Sequence, residues 1–129
     1  MASKQLVSSG AKWEDIVGYS RAVRIGNIIE VAGTTAVQGG KVQYIGDAYN
    51  QTVMILKIIN GALLEAGSSI TDVVRTRIYV CNIEDWPEVG KAHGEFFSTI
   101  KPASTMVEVS KLVDPDMLVE IEVSAIIQD

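Results

Sequence analysis

Two glutamates near the end of the chain have the residue type and spacing that proton transfer needs. Over residues 118–127, apolar residues alternate with polar ones, which predicts a strand with one buried face. Glu120 and Glu122 share the other face, and a partly buried carboxyl with a raised pKa can both accept and donate a proton. On these residues alone, the favoured alternative is that Glu120 forms an ion pair across a subunit interface.

Other chemically reactive residues are few. Cys81 is the only cysteine and His93 the only histidine, so a zinc site would have to recruit carboxylates or neighbouring subunits. We therefore expect no protein-bound metal. Cys81 has no base placed beside it and is expected to be a packed small residue, and His93, on an amphipathic helix, is expected to be structural or solvated.

Composition limits the class of protein and its partners. With 129 residues, of which 47% are hydrophobic, the chain can build one core, and we expect a single domain over residues 1–129. A net charge of -5 repels phosphate backbones, so no nucleic-acid partner is expected. No apolar run is long enough to cross a membrane, and residues 1–5 lack the apolar core of a secretory signal. We expect a cytoplasmic protein with no membrane partner.

The elements that must position these residues follow from periodicity and turn chemistry, in the order βββ-α-β-α-ββ. The predicted strands are residues 19–24, 27–36, 41–45, 72–80, 105–109 and 118–127, and the predicted helices are residues 48–66 and 86–99. Asp47 is the expected N-cap of the first helix and Gly67 its expected stop. Two helices cover only one face of a six-stranded sheet, so the other face needs a partner.

Short motifs along almost the whole chain resemble those of the Rid (reactive intermediate deaminase, YjgF-like) family, which also carries RutC-like and endoribonuclease L-PSP labels. They are Tyr19-Ser20, Val31-Ala32-Gly33, Gln51-Thr52, Val73-Val74 before Tyr79-Val80, Lys101-Pro102-Ala103, and Val119-Glu120-Ile121-Glu122. The resemblance implies a chorismate-mutase-like α+β fold, a homotrimeric barrel and small-molecule clefts between subunits. It further implies hydrolysis of reactive enamines and imines to release ammonia, without a metal or an organic cofactor.

The resemblance also implies roles for individual residues. Glu120 matches the family's active-site glutamate and is the expected catalytic residue, while Tyr19 and Gly33 match residues of the ligand cleft. For Tyr19 the alternative is an ordinary amphipathic core tyrosine. For Glu122, a solvated or interface charge remains the favoured interpretation. Gly18 stands where the family commonly has a proline, a change expected to loosen the cleft rim.

The segment Ser104-Thr105-Met106 departs from the family pattern at a position expected to bind substrate. Ser104 stands where the family has an arginine that holds the substrate carboxylate, and serine reproduces neither its charge nor its two-pronged contact. Ser104 either donates a hydrogen bond to an uncharged or differently shaped substrate or only fills space. Thr105 and Met106 are the other expected binding residues of this segment.

A replacement positive charge could come from elsewhere in the chain. Arg21 shares the predicted strand face of Tyr19, and Arg75 and Arg77 share a face of the predicted fourth strand. For each of these arginines a surface position is the favoured expectation.

Three functions compete on these observations. The first is a deaminase-like hydrolase of an enamine or imine other than the usual 2-imino acid. The second is a non-catalytic trimer that binds a small metabolite or a client protein in the same clefts. The third, a ribonuclease or translation inhibitor, fits poorly because the chain is acidic and has no basic strip interleaved with aromatic residues.

Overall fold

The computed structural model describes residues 3–128, and the expected α+β architecture is confirmed. Met1, Ala2 and Asp129 lie outside the described residues. The strands are β1 (Lys4–Val7), β2 (Ala22–Ile25), β3 (Ile28–Thr34), β4 (Val37–Gln38), β5 (Lys41–Val42), β6 (Val73–Val80), β7 (Ala103–Glu108) and β8 (Val119–Ile126). The helices are α1 (Lys12–Val17), α2 (Ala48–Glu65) and α3 (Trp86–Phe97), with single 3-10 turns at Ile70–Asp72 and Ile83–Asp85.

Six of the strands form one mixed sheet in the order β1-β2-β3-β8-β6-β7. All neighbours are antiparallel except β6 and β7, which are parallel. A parallel pair needs a crossover connection, and α3 lies in the segment that joins these two strands. The chain returns to the centre of the sheet only with β8, which inserts between β3 and β6.

The two long helices pack against one face of the sheet. The apolar side of α2 is fully buried through Ile55, Leu56, Ile59 and Leu63, and α2 lies beside α3 and across β3 and β8. The opposing side chains of β8 (Val119, Ile121, Val123 and Ala125) are almost completely buried. The alternation predicted for β8 is therefore confirmed, and it turns Glu120 and Glu122 away from the helices, onto what we call the open face of the sheet.

The predicted third strand over residues 41–45 is wrong as a member of the main sheet. Gly39 and Gly40 both have positive φ angles, 60° and 76°, the conformation of a tight two-residue hairpin. They fold β5 back onto β4 as a separate two-stranded ribbon. The sixth strand of the sheet is instead β1, which pairs with β2 and was not predicted.

The first predicted strand begins later than expected because a short helix precedes it. Tyr19 lies outside any strand, between α1 and β2. Gly18 ends α1 with φ 89° and ψ 48°, the left-handed conformation that favours glycine at a helix C-terminus. Proline, with φ fixed near -65°, could not adopt this conformation, so Gly18 allows the turn between α1 and β2. The expected loosening of the cleft rim stays a prediction.

Gln51 connects α2 to the start of the strand that carries Glu120. It is fully buried. Its Nε2 donates hydrogen bonds to the carbonyls of Gln43 (3.2 Å), Tyr44 (3.3 Å) and Asp116 (2.9 Å), and its Oε1 accepts one from the Leu118 amide (2.9 Å). One side chain thus anchors two loops, and the second of them leads directly into β8.

We expect Gln51→Leu to destabilise the fold by about 1–3 kcal/mol, because the Asp116 carbonyl and the Leu118 amide lose their hydrogen bonds to the buried Gln51 side chain. Urea unfolding followed by circular dichroism measures this change. The control is Gln38→Leu, at an exposed position, which should stay within roughly 0.5 kcal/mol of wild type. Equal stability of the two variants would contradict the anchoring role.

Candidate functional site

The candidate site begins where Glu120 of β8 crosses over Gly33 of β3. The two strands pair with a register irregularity between Val31 and Thr34, so Gly33 lies in a local bulge of the ladder. A Cβ atom built on Gly33 would lie 2.6 Å from Oε2 of Glu120 and 3.1 Å from its Cδ. Only glycine allows the carboxylate to rest this close to the β3 backbone.

A buried arginine lies behind this pair, and the expectation of a surface position for Arg21 is wrong. Its side chain is only 8% exposed. Nη1 donates to the Gly33 carbonyl and to Oγ1 of Thr34, each at 3.0 Å, and Nη2 donates to the hydroxyl of Tyr19 at 3.3 Å. The guanidinium carbon also lies 5.6 Å from the centre of the Tyr19 ring. Arg21 therefore fixes the backbone under Glu120 and the tyrosine beside it.

Glu14 of α1 supplies the countercharge to Arg21. Its Oε2 lies 3.8 Å from Nε of Arg21, a nitrogen that is buried and has no hydrogen-bond partner. Glu14 also accepts hydrogen bonds from the Ser8 hydroxyl at 3.0 Å and from the amide and hydroxyl of Ser9. Burial alone would raise the pKa of Glu14, but these hydrogen bonds and Arg21 outweigh it and lower the pKa. Glu14 is thus an ionised countercharge that stabilises the buried Arg21 guanidinium in its position.

The electrostatics of Glu120 differ from those of Glu14. Burial raises the pKa of Glu120, the positive charge of Arg21 opposes this shift, and the negative charge of Glu122 adds to it. Glu122 in turn accepts a hydrogen bond of 2.5 Å from the hydroxyl of Tyr79, and this bond is the main reason that the pKa of Tyr79 is raised. Glu120 is therefore a half-buried carboxyl whose pKa is raised above that of an ordinary glutamate, the direction that suits a group that both accepts and donates protons near neutral pH.

An open groove of about 620 Å³ runs along the open face from α1 toward β8. It shares Tyr19 and Glu14 with the cluster around Arg21, and its wall is acidic through Asp15, Glu30 and Glu122. The groove gives small molecules access to the side of the sheet on which Glu120 lies.

Within one chain, the structure brings Tyr19, Gly33 and Glu120 together but leaves the other expected binding residues apart from them. Ser104, Thr105 and Met106 lie on β7, the edge strand, separated from β8 by β6. Ser104 pairs in register with Thr76 and shares its face, which is the face of the helices. Glu120 instead shares the open face with Tyr79, its neighbour in register on β6.

Sequence reasoning named Arg21 but misplaced it, and it missed Glu14. The alternation that set Arg21 on the face of Tyr19 was the available signal, because the two side chains are in contact. For Glu14 no signal existed, since its partners Ser8 and Ser9 reach it through an irregular loop. Arg75 and Arg77 are partly exposed, and Arg75 donates a 3.0 Å hydrogen bond to Thr105.

Two further properties concern residues 3–128. Within that range, no three His, Cys, Asp or Glu side chains come together in an arrangement that could ligate a metal ion. Within the same range, no helix has the length and apolar character needed to span a bilayer.

Comparison with solved structures defines the class of protein. A crystal structure of a YjgF/YER057c/UK114 family member from Mycobacterium tuberculosis superimposes with a TM-score of 0.89 at 48% identity, covering 97% of this chain and 100% of that one. The mixed sheet with two main helices on one face is thus the YjgF fold. The model of the family described as Endoribonuclease L-PSP matches residues 9–127.

The chain belongs to this Rid/YjgF family. An uncharacterised protein of Streptomyces coelicolor is 39% identical over 119 residues, covering 92% of this chain and 89% of its own length. The 3-aminoacrylate deaminase RutC of Acinetobacter baylyi is 35% identical over 104 residues, covering 80% of this chain and 82% of its own.

We expect Gly33→Ala to displace the Glu120 carboxylate from the β3 backbone and to destabilise the protein by about 1 kcal/mol, the low end for overpacking, because the overlapped carboxylate ends a flexible side chain. Gly61→Ala is the matched control: it is a helical glycine whose added Cβ meets no atom within 4 Å, and it should gain up to roughly 1 kcal/mol. In a Glu120→Ala background the cost of Gly33→Ala should fall, since the overlapping carboxylate is gone. Equal costs in both backgrounds, measured by chemical unfolding, would rule out this contact.

The raised pKa of Glu120 predicts a pH-dependent stability. Between the ordinary glutamate pKa and the raised one, the unfolded chain releases a proton that the folded chain retains, so rising pH favours unfolding through this group. The stability of Glu120→Gln relative to wild type should therefore increase as pH rises from about 4, then level off above the folded pKa. Urea unfolding across this range measures the difference, and a difference that is flat or falls with pH would contradict the assignment.

Proposed function

We propose that the protein is a cofactor-independent hydrolase of reactive enamines or imines, with Glu120 as its catalytic residue. The observation that carries this proposal is the half-buried carboxyl of Glu120, held over Gly33 beside Arg21 and Tyr19. The relative named 3-aminoacrylate deaminase supports the reaction class. Because Ser104 stands where the family resemblance places a carboxylate-binding arginine, we infer a substrate other than the usual 2-imino acid.

In this mechanism Glu120 transfers protons during imine hydrolysis. Its carboxylate takes a proton from water while the water oxygen bonds to the imine carbon, and the C=N electron pair moves to nitrogen, which accepts the proton from Glu120. In the second stage Glu120 removes the hydroxyl proton of the resulting carbinolamine and returns it to nitrogen. The C–N bond then breaks, ammonia leaves with the bonding pair, and the carbonyl product and the carboxylate remain. An enamine first accepts a proton on carbon to become the imine.

Arg21 and Tyr19 support this proton transfer in different ways. The charge of Arg21 limits the rise in the pKa of Glu120, so that the carboxylate stays available as a base. The hydroxyl of Tyr19 is oriented by Arg21, and the residue is 36% exposed, so it can meet a ligand that enters along the groove.

We further propose that the functional form is a homotrimer. The open face carries large apolar side chains that are 42–58% exposed in the single chain, namely Leu6, Ile25, Ile28, Val107 and Ile126. Such a patch on a sheet face requires cover. A neighbouring subunit at the β7 edge would also bring Ser104, Thr105 and Met106 to the cleft of Glu120, which one chain cannot do.

Sedimentation equilibrium should therefore give a mass near three times the 13.9 kDa of the chain. Ile28→Glu places a charge in the exposed apolar patch and should dissociate the assembly, because burying an unpaired carboxylate is costly. Ile83→Glu, at an exposed apolar residue in a 3-10 turn outside the sheet, is the control and should leave the mass unchanged. A monomeric wild-type protein would overturn the proposed assembly.

The reaction itself is tested with a panel of enzymatically generated imines, with and without a carboxylate group. Loss of the imine is followed directly, because ammonia also appears when imines hydrolyse in water. Wild-type protein should accelerate the loss of the imine, and the Glu120→Gln variant should be about 10²- to 10⁴-fold slower than wild type. The control variant Glu88→Gln, at an exposed position on α3, should be as fast as wild type. No acceleration across the panel, or equal rates for Glu120→Gln and wild type, would contradict the proposal and favour ligand binding without turnover.

Two other expectations remain predictions. The net charge of -5 continues to speak against a nucleic-acid partner, although the family model is described as an endoribonuclease. A cytoplasmic location likewise remains a prediction.

A further inference from the structure

Three hydrogen-bonded side chains lie on the helical face of the sheet, opposite to the face that carries Glu120. Oγ1 of Thr76 lies 2.9 Å from Nε2 of His93 and 2.7 Å from Oγ of Ser104. The three residues come from α3, β6 and β7, so their hydrogen bonds link the helical layer to the edge strand of the sheet. Thr76 is completely buried and Ser104 is exposed. The proposed proton transfers at Glu120 use none of these groups.

The direction of the hydrogen bonds follows from the geometry between Thr76 and Ser104. Thr76 has one hydroxyl proton and donates it to Ser104. Nε2 of His93 must therefore donate to Thr76, because two acceptors facing one another would form no bond. Burial lowers the pKa of His93, so the ring is neutral near pH 7. Donation to Thr76 then assigns its single proton to Nε2. Packing of the ring on Phe97, with centroids 4.6 Å apart, holds its orientation.

The hydroxyl proton of Ser104, at the exposed end of these hydrogen bonds, has no acceptor among the three side chains. Ser104 accepts from Thr76, so its own hydroxyl proton is available to a ligand. Successive hydrogen bonds polarise one another in a low-dielectric interior, which makes this hydroxyl a better donor than an isolated surface serine. It remains a neutral donor with a single proton.

Arg75, on β6 next to Thr76, is directed away from this hydroxyl. Arg75 donates to Thr105, the next residue of β7, and successive residues of a strand point to opposite faces. A carboxylate at Ser104 would give up its water without gaining a paired charge, which is unfavourable. A carbonyl oxygen of an amide or ketone needs only the one donor that Ser104 provides.

We propose that Ser104 is a specificity-determining residue that donates a hydrogen bond to a neutral carbonyl oxygen of the ligand, with Thr76 and His93 as positioning residues behind it. The ligand class is a small molecule with an amide-like carbonyl in place of a free carboxylate. This inference rests on the proposed function in taking Ser104 as part of the ligand cleft. The two tests measure ligand binding and the protonation of His93, so each gives a clear result even if the protein does not hydrolyse imines.

The first test uses the wild-type protein. Two-dimensional ¹⁵N–¹H spectra that correlate the imidazole nitrogens with the ring protons distinguish a protonated Nε2 from a protonated Nδ1 in the only histidine of the chain. We expect the proton on Nε2 at neutral pH. A proton on Nδ1 would reverse the hydrogen bonds, leave Ser104 without a free proton, and overturn the proposal.

The second test compares two non-reacting probes, 2-oxopropanamide and pyruvate, by NMR titration of the full-length protein. Wild type should bind the amide several-fold more tightly than the carboxylate. Ser104→Ala and Thr76→Val should each weaken amide binding by roughly 2- to 10-fold, the value of one neutral hydrogen bond, and leave pyruvate binding unchanged. Thr76→Ser keeps the hydroxyl and should restore amide binding.

Control variants distinguish loss of the hydrogen bonds among His93, Thr76 and Ser104 from loss of the fold. Ser110→Ala, at an exposed serine beyond β7, should bind the amide as wild type does, and thermal unfolding verifies that each variant is folded. If Thr76→Val does not fold, Ser104→Ala, at an exposed position, provides the same comparison. Equal affinity of wild type for the two probes, or unchanged amide binding in Ser104→Ala, would overturn the proposal.

Discussion

The contact on which the candidate site depends is the hydrogen bonding of the buried Arg21 guanidinium. Its Nη1 holds the Gly33 carbonyl and the Thr34 hydroxyl, and its Nη2 holds Tyr19. A buried arginine is tolerated only when it is paired and hydrogen-bonded, and Glu14 provides the pairing charge. Arg21 thus couples the position of the β3 backbone to the position of α1, and Glu120 rests on the backbone that Arg21 fixes.

This arrangement shifts the pKa values of two glutamates that both lie near Arg21 in opposite directions. Glu14 is surrounded by donors from Ser8, Ser9 and Arg21, so its pKa falls below the ordinary value. Glu120 has Arg21 nearby but gains no such set of donors, and burial together with Glu122 raises its pKa. This difference in pKa underlies the proposed division of roles, in which Glu14 is a structural charge and Glu120 transfers protons.

The two faces of the sheet divide the remaining chemistry. Glu120, Glu122 and Tyr79 lie on the open face, which carries charged and apolar side chains together. Thr76 and Ser104 lie on the face of the helices, where His93 reaches them. Within a single chain, the Glu120 carboxyl and the Ser104 hydroxyl therefore lie on opposite faces of the sheet. In the proposed trimer, the edge strand of one subunit would bring its Ser104 hydroxyl to the Glu120 cleft of the next subunit.

The sequence by itself determined the local elements and the side of the sheet on which Glu120 lies. The period of β8, the helical spacing of α2, and its N-cap at Asp47, confirmed by the hydrogen bond from Asn50, depend on neighbouring residues, which a pattern records. Only the tertiary structure decided that Lys4–Val7 completes the sheet, that Gly39 and Gly40 separate a ribbon from it, and that Arg21 is buried. These outcomes depend on contacts between residues far apart in the chain, such as β1 with β2, where pairing and burial compete and no local spacing records the result.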